Sequence, residues 1–95
     1  MAGNIAVRFY GLLRRHLAEP CMEIRAGELS VAELLREAEK AAGKSFSPEL
    51  LDPEKRLLAG AIILVNGENI RLRQGLETRV RGGDTVELFS PAGGG

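Results

Sequence analysis

The chain carries one cysteine, Cys21, and one histidine, His16. A zinc-type site needs several such ligands, and a side-chain nucleophile needs a base that a third group orients. One of each can hardly assemble either arrangement, and a lone cysteine excludes an intramolecular disulfide. Gly-Gly pairs occur, but no Gly-x-x-x-x-Gly-Lys-Ser/Thr loop that would cradle phosphates. The residues left to do chemistry are those that close the sequence, Ser90-Pro91-Ala92-Gly93-Gly94-Gly95. Glycines lack Cβ and can enter a channel too narrow for any side chain. Pro91 favours extended backbone around it, and the stretch from Phe89 onward reaches roughly 23–25 Å when extended. The expected result is a Gly95 carboxylate on a thin arm, presentable to a deep active site in another protein. A frayed terminus is the competing reading. It is weakened because the glycines follow a strand directly and the sequence stops on them.

The 95 residues fit one domain, expected over 1–89 with residues 90–95 as a flexible tail. A hydrophobic fraction of 44% with 27% charged residues is ordinary for a globular protein. Thirteen basic and thirteen acidic side chains cancel, which argues against a nucleic-acid partner held by phosphate neutralisation. The longest apolar run, Ala61 to Val65, is far shorter than the ~20 residues of a membrane span. Met1-Ala-Gly-Asn begins no signal peptide. These features predict a cytoplasmic protein with no membrane partner and no catalytic machinery of its own.

Ile5 to Tyr10 alternates, with Ile5, Val7 and Phe9 to one side and Ala6, Arg8 and Tyr10 to the other, as in a half-buried strand. Leu12 to Leu17 is a short connection, and Cys21 to Ala26 is a second strand with Met22 and Ile24 inward. Ser30-Val-Ala-Glu33 matches a capping box, apolar residues repeat at helical spacing from Val31 to Ala42, and Gly43 suits a left-handed cap. A helix is predicted over 31–42. Residues 44–60 carry Pro48 and Pro53 and read as loop with a short helical turn around 52–58. Ala61 to Val65 reads as a strand covered on both faces or lying centrally, and Asn66-Gly67 as a hairpin turn into a short return strand over 68–71. Residues 72–81 read as irregular. Thr85 to Phe89 is the last strand, with Val86 and Leu88 inward and Phe89 outward. Two strands, a helix and two or three more strands describe an α+β, β-grasp arrangement: a mixed sheet of four to five strands with one main helix. A ferredoxin-like sandwich would need a second long helix.

Val65-Asn66-Gly67-Glu68, Gly75-Leu76-Glu77-Thr78 and the run from Gly83 to Gly95 resemble the C-terminal half of the MoaD/ThiS-type ubiquitin-like sulfur carriers. That family also includes CysO and the archaeal small modifier proteins. Its typical ending is Phe-Pro-Pro-Val-(Ala or Ser)-Gly-Gly. Phe89, Pro91, Gly94 and Gly95 agree with it; Ser90 replaces the first proline, Ala92 replaces valine, and Gly93 stands for the small residue. Val7-Arg8-Phe9-Tyr10-Gly11 also resembles the MoaD opening strand.

The resemblance implies that an activating enzyme uses ATP to adenylate the Gly95 carboxylate. A cysteine persulfide of a sulfur donor then converts it to a thiocarboxylate. The chain itself binds no cofactor. The implied pathway is molybdopterin synthesis, with the molybdopterin synthase large subunit as partner. Alternatives are a modifier joined through Gly95 to target lysines, or a carrier for thiamine, cysteine or tRNA thiolation.

Tyr10 and Phe89 fall on the outward side of expected neighbours, and in the family these positions and Pro91 belong to the docking surface. The bland alternatives are scattered surface aromatics, or a satellite core under residues 44–60. Arg71, Arg73, Arg79 and Arg81 read as a solvated face, with charge-steered docking second. Cys21 reads as a small buried hydrophobe, although its parity beside Glu23 and Arg25 points outward and keeps a reactive thiol open. His16 reads as exposed.

Overall fold

Alternation along Gly3–Tyr10 buries Ile5, Val7 and Phe9 and makes this segment, β1, the strand on which the core is laid. The computed structural model describes residues 3–91. A 3-10 turn over Gly11–His16 leads to β2, Cys21–Ala26, which returns antiparallel to β1 with Ile24 opposite Ile5. A strand that the sequence pattern did not announce, β3 (Glu28–Ser30), runs straight into the helix.

The helix α1 spans Val31–Ala42, as its caps predict. The Glu33 N–H donates to Ser30 Oγ at 3.1 Å, and the Ser30 N–H donates to Glu33 Oε1 at 2.8 Å. Gly43 closes it in the left-handed region at φ 69°. Val31, Leu34, Leu35 and Ala38 are buried, so the helix covers one face of the sheet.

Residues 44–60 hold more core than their prolines suggest. Phe46 and Leu50 are fully buried, and the Phe46 ring meets Phe9 edge-on at 5.2 Å. The helical turn sits at Ser47–Glu49 rather than around 52–58. Asp52 instead organises a tight turn, its Oδ1 accepting from the N–H groups of Glu54 and Arg56.

β4 is Ile62–Val65 and β5 is Glu68–Asn69, joined by Asn66-Gly67 at φ 51° and 84°. Both turn positions need positive φ, which is why this dipeptide stands there. β4 lies inside the sheet, between β7 and β5, as the second reading of its apolar run has it, while Ile62 at 41% exposure shows that it is not covered on both faces. The return strand ends at Asn69, and Ile70–Leu72 is a 3-10 turn. Within the segment expected to be irregular, β6 (Arg79–Arg81) pairs antiparallel with β3, forming a two-stranded sheet. β7, Thr85–Phe89, runs parallel to β1 and antiparallel to β4, giving a mixed sheet ordered β2-β1-β7-β4-β5. Val86 and Leu88 join the core.

Candidate functional site

The face of the sheet opposite α1 is set by the odd residues of β7 and the even residues of β1. Thr85, Glu87 and Phe89 alternate with the buried Val86 and Leu88, as Ala6, Arg8 and Tyr10 do with Ile5, Val7 and Phe9. Parallel pairing sets Tyr10 opposite Phe89. Their rings stack with centroids 4.6 Å apart and planes 8° from parallel. The Tyr10 hydroxyl donates to Glu87 Oε2 at 2.8 Å, which fixes the ring over its neighbour. On the other side of β7, Ile62 lies opposite Phe89. An apolar row, Tyr10–Phe89–Ile62, therefore crosses three strands at the end of the sheet from which residue 90 departs.

The structure thus brings the two sequence-predicted aromatics together as outward neighbours. Ile62 escaped the sequence reading because an unbroken apolar run does not reveal its own parity; the Asn66-Gly67 hairpin, read as a register mark, was the signal available.

Pro91 is half-buried against Gly60, where a Cβ would come within 3.0 Å of the proline Cβ. A side chain at position 60 would push the ring outward by a few tenths of an ångström, so glycine suits the seat. Arg71 steadies the same stretch: its Nη2 donates to the carbonyls of Leu58 at 2.6 Å, Ala61 at 3.0 Å and Ala59 at 3.3 Å. Among the described residues, the buried Ser90 Oγ has no hydrogen-bond partner. Gly93, Gly94 and Gly95 lie outside the described residues, as does the His16 side chain.

Arg71, Arg73, Arg79 and Arg81 are all exposed, as the solvated reading expects, but three of them have separate partners. Arg71 clamps carbonyls. Arg73 pairs with Glu68 at 2.7 Å, and Arg79 approaches Glu33 at 3.8 Å and Glu28 at 3.9 Å. Cys21 is exposed, on the same face as Arg8 opposite it, in line with its parity and against the buried reading. Among the described residues no group of three or more His, Cys, Asp or Glu could hold a metal ion. A groove of about 680 Å³ lies between α1 and the 45–58 segment, on the helical side of the sheet.

Three carboxylates are shifted, each for a structural reason. The Ser30 backbone N–H and hydroxyl hold Glu33 below its ordinary value. The Arg56 N–H does the same for Asp52. Partial burial pushes Glu39 up, but the N–H groups of Ser47 and Phe46 and the Ser45 hydroxyl outweigh it and leave the group low.

One helix across a mixed sheet with two parallel central strands defines a ubiquitin-like, β-grasp domain, here with an aromatic platform at the root of its C-terminal segment. The ThiS family model matches residues 7–95, and the chain belongs to this family of sulfur carriers. A protein of Archaeoglobus fulgidus that bears the name of a sulfur carrier protein is 36% identical over 74 residues, 78% of this chain and 83% of its own length. The crystal structure of SAMP1 from Haloferax volcanii superposes with a TM-score of 0.80 at 20% identity, covering 98% of this chain and 100% of that one. A chain of the Amycolatopsis orientalis BexX/CysO complex does so with 0.77 at 27% identity, covering 96% and 99%. Urm1 from Trypanosoma brucei does so with 0.76 at 23% identity, covering 99% and 97%. No helix among the described residues is long and apolar enough to cross a membrane.

Proposed function

We propose that this chain is a MoaD-type sulfur carrier in molybdopterin synthesis, acting through the carboxylate of Gly95. A free carboxylate is a poor electrophile. An activating enzyme joins it to the AMP moiety of ATP with release of pyrophosphate, and the sulfur of a cysteine persulfide attacks the acyl carbon and expels AMP. Cleavage of the resulting S–S bond by a second thiol leaves the thiocarboxylate on Gly95 and a disulfide elsewhere. The thiocarboxylate then gives its sulfur to the molybdopterin precursor on the large synthase subunit.

The observation that carries this reading is the Tyr10–Phe89–Ile62 row, set where β7 passes into the tail in a chain whose family match runs to residue 95. Such a row suits docking of the activating enzyme and later the acceptor, with Pro91 seated on Gly60 to aim the arm. Partners supply the catalysis; this chain supplies first an electrophile and then the sulfur. The test is a reconstitution of thiocarboxylated chain, large subunit and precursor. The expected result is dithiolene product with matching return of Gly95 to a carboxylate. Retained sulfur, with isopeptide adducts on added proteins, would assign the chain to modification instead.

A further inference from the structure

β2 is an edge of the five-stranded sheet, and among the described residues it pairs with β1 alone. In an antiparallel pair, alternate residues turn their N–H and C=O groups toward the partner strand. Just ahead of β2, the Phe9 N–H donates to the Pro20 carbonyl at 2.9 Å. The even residues of β2 therefore spend their backbone groups on β1. Cys21, Glu23 and Arg25 direct theirs to the open edge, where an unpaired strand is a template for another. Their side chains are exposed, and neither Glu23 nor Arg25 has a side-chain partner among the described residues.

The pattern of charge selects the strand that fits. For two copies of β2 to join antiparallel about a two-fold axis, with the core faces continuous, odd residues must oppose odd ones. Centring the axis on Glu23 sets two glutamates together, and centring it on Arg25 sets two arginines together. Centred on Ile24, Glu23 of each copy meets Arg25 of the other, Met22 meets Ala26, and the Ile24 side chains meet at the axis. The two Glu23–Arg25 positions are also those whose backbone groups face the open edge, so each would exchange a pair of ladder hydrogen bonds. Backbone direction allows all three of these registers, and the charges choose the one centred on Ile24.

We propose that this chain self-associates through β2, two copies pairing about Ile24 to make one continuous sheet. Cys21 then lies opposite Gly27 of the other copy, so the thiols stay apart and association needs no oxidation. The new pairing uses only the outer edge of β2, so the face of β1, β7 and β4 that carries the Tyr10–Phe89–Ile62 row stays uncovered in both copies.

The test is sedimentation velocity of the full chain in reductant over a dilution series. The wild type is expected to rise from 10.2 kDa toward twice that mass. Glu23→Arg and Arg25→Glu each place like charges opposite one another, and should weaken self-association by about tenfold or more. Mixed together, these two variants are complementary and should form a heterodimer, and the double exchange in one chain should restore the homodimer. Amide exchange of the wild type gives a reading independent of any variant: the Glu23 and Arg25 N–H groups should gain protection as concentration rises. A wild type that stays at 10.2 kDa with unchanged exchange would overturn the proposal. So would folded single variants that associate as the wild type does, or a mixture that remains monomeric.

Discussion

Phe89 sits half-buried on the outer face, stacked on Tyr10, so its side chain adds little to the core and much to the platform. Phe89→Ala should cost about 1–3 kcal/mol of stability, from the lost stacking and the partial burial together, below the ~3–5 kcal/mol of a core phenylalanine. Binding to the activating enzyme should fall by about 1–3 kcal/mol, the scale of an interface anchor. Denaturation and a binding titration on the same variant separate the two; a stability loss with unchanged affinity would remove Phe89 from the docking surface. At the tail, only Gly94 and Gly95 match the family's diglycine by position, so Gly93→Ala should keep most adenylation. On the activation proposed above, Gly94→Ala would put a methyl beside the reacting carbonyl and should slow adenylation by about a hundredfold, the scale of a misplaced reacting group. Initial rates at saturating ATP compare them; equal impairment would mean that the narrow part of the channel begins one residue earlier.

At the scale of elements, Glu39 ties the last turn of α1 to Phe46 and Ser47, and so holds the Phe46 ring in the core. Its folded-state carboxyl lies below the 4.5 of an unconstrained glutamate. The stabilisation from this link is therefore present above pH 4.5 and lost as pH falls through the lower folded value. Glu39→Gln should flatten that part of the acid slope, measured as urea midpoints at neutral pH and at about pH 3. An unchanged slope would place the acid sensitivity with Glu33 and Asp52.

The elements legible in the sequence are those with local causes. Ser30, Glu33 and Gly43 cap α1, alternation marks β1 and β7, and Asn66-Gly67 turns β4 into β5. The elements that were not legible owe their existence to distant partners. β3 and β6 are three residues each, too short to show a period, and exist by pairing with each other. Phe46 and Leu50 lie among prolines and polar residues, and only the packed fold reveals them as core. The site divides in the same way: parity alone places Tyr10 and Phe89 on one face, while Ile62 and the Gly60 seat for Pro91 depend on strand register and on the path of residues 58–61.

At the scale of the whole molecule, one face of the sheet is spent on α1 and the core, and the other carries a platform beside the departing C-terminal segment. In the function proposed above, the Gly95 carboxylate becomes a thiocarboxylate. The most direct measurement is the intact mass of the full chain after incubation with its activating enzyme, ATP and a persulfide donor under reducing conditions. A gain equal to the difference between sulfur and oxygen, localised to the C-terminal peptide and absent from a chain lacking Gly94 and Gly95, is the predicted result. No gain in the full chain, or the same gain in the shortened one, would contradict it.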